Sequence, residues 1–204
     1  IHVRYFVIVM VLCIIPSMIA ADNPDKIDPS IRHEIEHSIN IGLNYLADSQ
    51  QDDGSWSNYP GITGLAVTAF LRASDQIQRE YEFSIHKGLE YILQHVHPNG
   101  GIYPDFEPQL RAYNTSICLM ALVEADNPEY KDVIINARDY LLSMQADEDE
   151  GITSDSSTYG GIGYNRDERS DISNMQFALE ALRLSEAYKP QSEYAGVVEY
   201  RGDV

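Results

Sequence analysis

The chain reads Gly42-Leu43-Asn44-Tyr45-Leu46, then Gln50 and then Gly54-Ser55-Trp56, and this stretch is the first of three copies of one pattern. The second copy reads Gly88-Leu89-Glu90-Tyr91-Ile92 and then Gly101-Ile102-Tyr103; the third reads Ala137-Arg138-Asp139-Tyr140-Leu141, then Gln145 and Gly161-Ile162-Gly163-Tyr164. The copies start 46 and 49 residues apart, a spacing typical of repeat architectures. One such unit cannot bury its apolar face alone, so the pattern predicts units that stack on one another.

Apolar residues recur at helical spacing in six stretches, and no stretch shows sustained period-two alternation. Asp28 as a cap and Pro29 at the first helical position open the first stretch. The six stripes are Ile31, Ile35, Ile39, Leu43 and Leu46; Ile62, Leu65, Ala66, Ala69 and Phe70; Ile85, Leu89, Ile92, Leu93 and Val96; Ile117, Cys118, Ala121, Leu122 and Ala125; Val133, Ala137, Tyr140, Leu141 and Met144; and Ile172, Met175, Leu179, Leu182 and Glu186, where the pattern fades. The sequence therefore predicts an all-α fold whose repeats each contain an outer helix, a turn and an inner helix.

Residues 1–21 have the order of a secretory signal peptide, with a basic start, an apolar run over residues 5–15 and Ala20-Ala21 at the end. The apolar run is shorter than the about 20 residues of a membrane span. We therefore predict a signal peptide over 1–21, helical repeats over 22–188 and a tail over 189–204 without repeat signal. This organisation predicts a secreted or periplasmic protein, or a membrane-anchored one if the segment is not cleaved.

The chain is strongly acidic, with 14 basic and 32 acidic residues and a net charge of −18. Loss of Arg4 with the signal peptide leaves 13 basic residues and a charge of −19. Such a surface repels nucleic acid and anionic lipid headgroups. We predict no nucleic-acid partner and no membrane contact except through an uncleaved 1–21 segment. Cys118 is the only cysteine of the mature chain, so no intramolecular disulfide can form, and its apolar position predicts a buried thiol.

The residues Gly42, Tyr45, Gln50, Gly54 and Trp56 form a string that resembles the "QW" repeat of squalene and oxidosqualene cyclases. The segments 160–164 and 171–182 are similar to prenyltransferase/squalene-cyclase repeat proteins more widely, and the resemblance covers about residues 30–186. It implies an α/α toroid, in which two helix layers enclose an apolar cavity that binds isoprenoid chains. A complete ring in that family has about six hairpins and this chain supplies three. The chain is then either truncated or a half ring that self-associates or is completed by another chain.

The resemblance also points to candidate site residues. Squalene–hopene-type cyclases carry an Asp-x-Asp-Asp acid at the start of an inner helix, and Asp171-Ile172-Ser173-Asn174 keeps only the first of its acids. Asp171 is thus a candidate catalytic acid, with helix capping as the alternative. The candidate substrate-binding residues are Trp56, Tyr59, Tyr103, Tyr113, Tyr164 and Asn174. Packing within each hairpin is the alternative for the aromatic residues.

No metal site and no cofactor are predicted. His33-Glu34-Ile35-Glu36-His37 fits the His-Glu-x-x-His signature, but both histidines lie opposite the apolar stripe and are expected to face solvent. The acidic run over 147–150 lacks the alternating spacing of a calcium loop. The Asp-x-Cys spacing of zinc prenyltransferases does not occur either.

Three functions remain open from the sequence. The first is a terpene cyclase/isomerase-like enzyme acting on a long polyprene or related lipid. The second is a secreted, non-catalytic repeat domain that binds an isoprenoid, another lipid, a glycan or a protein. The third is an extracellular polysaccharide lyase or hydrolase, whose proton-abstracting base would come from Arg111, Arg166 or Arg169. Export and the missing acids favour the second function, and the negative charge disfavours a polyuronate substrate.

Overall fold

The computed structural model describes residues 27–106, 108–148, 151–164 and 171–189. Its helices are α1 (Pro29–Ser49), α2 (Pro60–Leu71), α3 (Asp75–Glu80), α4 (Glu82–Leu93), α5 (Arg111–Glu124), α6 (Lys131–Leu142) and α7 (Ile172–Leu184), with 3-10 turns at Pro108–Leu110, Pro128–Tyr130 and Glu186–Tyr188. Within these ranges the β pairing consists of two isolated antiparallel bridges, Val96–Ile102 and Gln145–Ile162. The protein is all-α, as the sequence predicts. The predicted signal peptide, the tail beyond Lys189, and Arg166 and Arg169 lie outside the described residues.

The chain divides into two compact units, Ile1–Asn44 and Tyr45–Val204. The described part of the first unit is residues 27–44, which include most of α1. Just before the helix, the Asp28 carboxylate accepts a hydrogen bond from the Ser30 backbone N–H at 2.8 Å. Every described side chain of this unit is exposed except that of Leu43. The helix forms where its stripe predicts it, but most of that stripe is not buried. No helix in the described ranges is both long and apolar enough to cross a membrane.

The second unit has an inner layer of three helices, α2, α5 and α7, with α5 in the middle. Its outer layer contains α4, which packs on α2, and α6, which packs on α5 and α7. Helices α2 and α5 run parallel. The Gly61 N–H donates to Asn114 Oδ1 at 2.9 Å near their first turns, and Arg72 pairs with Glu124 at 2.7 Å near their ends.

The core centres on α5, because helices cover it on three sides. The fully buried side chains of this helix include Ile117, Cys118, Leu119 and Leu122. The prediction that Cys118 is buried is confirmed, and burial raises the pKa of its thiol well above the ordinary value. The thiol therefore remains protonated, and it packs as a small apolar side chain.

The turns of the first two repeats are built alike. The hydroxyl of Thr63 accepts the Trp56 backbone N–H at 3.0 Å, and the hydroxyl of Thr115 accepts the Ile102 N–H at 2.9 Å. Gly54 and Gly100 occupy the left-handed region at φ +90° and +88°, which glycine adopts without steric cost. The inner helices thus hold the turns in equivalent places, 52 residues apart at the two threonines.

The predicted stripes are buried in the middle of the second unit and are exposed at its ends. Ile85, Leu89 and Ile92 of α4 are buried, as are the corresponding residues of α5 and α6. On α2 the predicted stripe is only partly buried: Ala66 and Phe70 are buried, as are Thr63 and Val67 outside the stripe, whereas Ile62 and Leu65 are exposed. This correction has a physical reason: α2 is apolar around most of its circumference, so periodicity alone does not select the buried face.

Candidate functional site

Trp56 lies inside the first hairpin. Its ring is buried against Phe70, with 6.2 Å between centroids, and its Nε1–H donates to the Leu46 carbonyl at 2.8 Å. Gln50, in the same repeat, donates through Nε2 to the Gly54 carbonyl at 3.0 Å and to the Ser84 carbonyl of α4 at 2.9 Å. Both side chains therefore join neighbouring elements of the scaffold, and the geometry at Trp56 favours the packing interpretation.

Tyr103 is also enclosed. Its ring stacks on that of His97, with 3.9 Å between the ring centroids. The guanidinium of Arg111, at the start of α5, lies 5.0 Å from the centroid of the Tyr103 ring. Tyr140 of α6 packs nearby, at 6.1 Å between ring centroids, and burial raises the pKa of Tyr140 to about 12. The cluster is a closed contact between successive hairpins, in which Arg111 makes a cation–π interaction.

Two other predicted aromatic residues lie at the N-terminal ends of the inner helices. Tyr59, immediately before α2, meets Phe106 edge to face at 5.4 Å. Tyr113, in the first turn of α5, meets Phe177 of α7 edge to face at 5.1 Å. Phe106 is exposed, and Tyr59, Tyr113 and Phe177 are half-buried. We call these four residues the aromatic end of the inner layer.

Tyr164, in the turn of the third repeat, and Asn174, in the first turn of α7, lie near the N-terminal ends of the inner helices. The Tyr164 carbonyl accepts the Ala112 N–H of α5 at 3.2 Å, and its side chain is half-buried. Asn174 is buried, and its Nδ2 donates to the Asp171 carboxylate at 3.1 Å. Its Oδ1 is buried and has no hydrogen-bond partner among the described residues. Asn174 therefore helps to hold Asp171 in place.

Asp171 is the N-cap of α7. Its carboxylate accepts the backbone N–H groups of Ser173 at 3.0 Å and Asn174 at 3.1 Å, and it also accepts the Ser173 hydroxyl. These hydrogen bonds, led by that of the Ser173 hydroxyl, hold the pKa of Asp171 below its ordinary value. A carboxyl group that protonates an alkene must keep its proton at working pH. The geometry at Asp171 favours capping.

The cap makes a prediction about pH. Because the pKa of Asp171 is lowered in the folded state, its stabilising effect is present at neutral pH and is lost as the pH falls through that lowered pKa. Asparagine also caps helices but does not ionise. We expect Asp171→Asn to show a smaller drop in Tm than the wild type between about pH 5 and 2, measured by circular dichroism. Parallel pH profiles for the two proteins would argue against the cap.

No group of three or more metal-ligating side chains occurs in the part of the chain that the structure describes. His33 and His37 are exposed on α1, as the sequence predicts. Glu148, in the acidic run, accepts the Tyr159 hydroxyl at 3.0 Å. Asp149 and Glu150 lie outside the described residues.

The aromatic end contains two residues that sequence reasoning missed, Phe106 and Phe177. Phe106 lies in a loop without periodicity, and Phe177 lies in the repeat segment 171–182 but away from its stripe of Ile172, Met175 and Leu179. The only sequence signal was their aromatic character close to predicted turns and helix starts. Chemically, the aromatic end offers ring faces and two phenolic hydroxyls. The chain matches no family model.

Proposed function

We propose that this chain is an exported helical-repeat protein of the squalene-cyclase-repeat type, with α/α-toroid repeats that bind an apolar, isoprenoid-like chain without transforming it. The observation that carries the proposal is the aromatic end, where Tyr59, Phe106, Tyr113 and Phe177 form two edge-to-face pairs beside neighbouring helix starts. Export is supported by the order of residues 1–21.

The chemistry of the aromatic end suits an apolar ligand. Exposed Phe106 and the half-buried rings of the aromatic end offer ring surface that a hydrocarbon chain can cover. Full burial of one large apolar side chain is worth about 1.5–3 kcal/mol. Micromolar binding corresponds to about −8.2 kcal/mol and association itself costs about 4–15 kcal/mol, so the ligand must be a long hydrocarbon chain that buries apolar surface along much of its length. The acidic surface disfavours an anionic headgroup on the ligand.

The same geometry supports binding over catalysis. The carboxylate of Asp171 is engaged by the first backbone amides of α7, and its lowered pKa opposes proton donation. The Arg111 guanidinium lies over the Tyr103 ring inside the scaffold. Neither group is therefore arranged as the acid of a cyclase or the base of a lyase.

We expect the purified protein to bind farnesol or geranylgeraniol saturably, measured by displacement of a fluorescent fatty-alcohol probe. Phe106→Ala and Tyr113→Ala are expected to weaken binding at least about tenfold each, which corresponds to about 1.4 kcal/mol. Phe83→Ala is the matched control, because Phe83 is exposed like Phe106, at 74% against 65%, but lies on α4 in the outer layer. This control should bind like the wild type.

Three results would contradict the proposal. One is the absence of saturable displacement by either alcohol, and another is an equal loss of binding in Phe83→Ala. The third is the appearance of cyclised products when the protein is incubated with squalene and extracted, which would indicate an enzyme. Saturable binding of an oligosaccharide but of neither alcohol would point to a glycan-binding domain.

A further inference from the structure

The turn of the second repeat contains the dipeptide Asn99-Gly100, and an asparagine followed by glycine occurs nowhere else in the chain. In such a dipeptide the backbone nitrogen of glycine can attack the Cγ atom of the asparagine side chain. The attack closes a cyclic imide, a succinimide, and releases ammonia. Glycine permits this approach most readily, because it carries no side chain and adopts backbone conformations closed to other residues. Asn99 is also exposed, so it is the asparagine of the chain best suited to this reaction.

The folded turn restrains every group that takes part in the reaction. The attacking Gly100 N–H donates a hydrogen bond to the His97 carbonyl at 2.9 Å, and Gly100 is buried. Asn99 Oδ1 accepts the Gly101 N–H at 3.1 Å, and Asn99 Nδ2 donates to the Tyr103 hydroxyl at 3.1 Å. Closing the ring requires rotation of the side chain and loss of these hydrogen bonds. The reaction therefore depends on local opening of the turn.

The turn of the first repeat contains the same feature in its aspartate form. Water opens a succinimide at one of its two carbonyl groups and yields aspartate or isoaspartate, in which the backbone runs through the side-chain carboxyl. Asp53 precedes Gly54 at φ +90°, just as Asn99 precedes Gly100 at φ +88°. The Asp53 carboxylate accepts the N–H two residues further on at 2.9 Å, as Asn99 Oδ1 does at 3.1 Å. An aspartate at position 99 can therefore keep the geometry of the turn.

Isoaspartate does not fit the same turn, because it inserts an additional carbon atom into the backbone immediately before Gly100. The backbone has no free space there. A Cβ on Gly100 would lie 2.3 Å from the Asn136 carbonyl oxygen of α6, and one on Gly101 would lie 2.4 Å from Tyr103 Cε1. The longer backbone must displace these glycines, so the turn separates from the outer helix that it contacts.

We propose that Asn99 is a site of succinimide-forming modification, that the folded turn protects it, and that only the isoaspartate product disrupts the structure. In the first step the bond between Gly100 N and Asn99 Cγ forms and the bond between Asn99 Cγ and Nδ2 breaks. The Gly100 amide proton leaves with the side-chain nitrogen as ammonia. In the second step water adds to the ring, and neither step needs an oxidant or a reductant. The extent of modification therefore reports how often the turn has opened.

The first test compares the modification rate in the folded and the unfolded full-length chain. The protein is kept in mildly alkaline buffer, which favours loss of the amide proton, with and without enough guanidinium chloride to unfold it. The tryptic peptide 88–111, in which Asn99 is the only asparagine, is then analysed by mass spectrometry for replacement of the amide by a carboxyl group and for isoaspartate. We expect the folded chain to react at least about tenfold more slowly, because only its open fraction reacts. Asn58, which is also exposed but is followed by Tyr59, is the internal control and should remain unmodified.

The second test compares the two products after the denaturant is removed. Ion exchange separates both from the unmodified chain, because each carries an additional carboxylate, and peptide mapping identifies them. The isoaspartate form should have a Tm at least about 3 °C below that of the unmodified protein. The variant Asn99→Asp supplies the aspartate form directly, and its Tm should stay within about 1 °C of the wild type.

The proposal fails if Asn99 reacts equally fast in the folded and the unfolded chain, or if it does not react in the unfolded chain. It also fails if the isoaspartate form keeps the Tm of the unmodified protein, or if Asn99→Asp loses as much Tm as the isoaspartate form. Because no ligand enters these tests, their results are independent of the isoprenoid-binding experiment.

Discussion

Replacing Trp56 with alanine is expected to lower the free energy of unfolding by about 3–5 kcal/mol, the range for removal of a buried aromatic side chain. The ring is buried beside Phe70, and Gly88 of α4 leaves room for it, since a Cβ on that glycine would lie 3.2 Å from Trp56 Cζ3. The substitution also leaves the Leu46 carbonyl without its Nε1–H donor. Urea unfolding followed by circular dichroism measures the change.

Two further variants serve as comparisons for Trp56→Ala. Phe83→Ala removes an aromatic ring that is exposed on α4 and lies 5.6 Å from the Lys87 ammonium group, so its cost should stay below about 1 kcal/mol. Trp56→Phe keeps most of the buried ring and removes the Nε1–H donor, and its cost should be intermediate. If Trp56→Ala and Phe83→Ala shift the urea midpoint equally, Trp56 does not join the first hairpin as the structure describes.

Gly100→Ala is the second substitution with a large expected effect, a loss of more than about 2 kcal/mol. Two independent costs combine at this residue. Its φ of +88° lies in a region that is strained for any side chain, and the added Cβ would lie 2.3 Å from the Asn136 carbonyl oxygen. Because that oxygen belongs to the backbone of α6, the second turn must move away from the helix. Thermal and urea unfolding both report the loss.

Gly151→Ala separates the two costs. Gly151 also has a positive φ, +74°, but no atom of the described residues beyond its chain neighbours lies within 4 Å of its Cβ position. Its substitution carries only the conformational cost, about 1–2 kcal/mol. The difference between the two variants measures the contact between turn and outer helix. Equal losses would mean that Gly100 is needed only for its backbone conformation.

The helices could be predicted from the sequence more reliably than their buried faces. In α4 and α6, polar residues interrupt the apolar ones at helical spacing, and Leu89 and Leu141 are buried as their stripes predict. In α2 almost every side is apolar, so the chain itself does not distinguish Ile62 from Val67. Only the position of α4 and α5 decides that Val67 is buried and Ile62 is exposed.

The candidate site could be predicted only in part, because the sequence marks residues near helix starts but not their partners in the fold. Tyr59 and Tyr113 stand out in the sequence because they lie beside predicted helix starts. Their partners Phe106 and Phe177 are 47 and 64 residues away along the chain, and no local pattern links residues that far apart. The two roles weighed for Asp171, acid or cap, depend on the direction of its hydrogen bonds, which the sequence does not contain.

By itself the sequence determined an all-α protein built from three repeated units, because helical periodicity and turn glycines are local properties of the chain. It also determined the acidic character that disfavours polyanionic partners. The tertiary structure decided which faces of those helices are covered. Burial depends on neighbours that are distant in sequence, and α5 has them on three sides whereas α2 and α7 each keep one apolar face exposed. Tyr45 and Tyr91 occupy the same place in the repeat, yet Tyr45 is exposed and Tyr91 is buried, a difference that the repeat pattern does not contain.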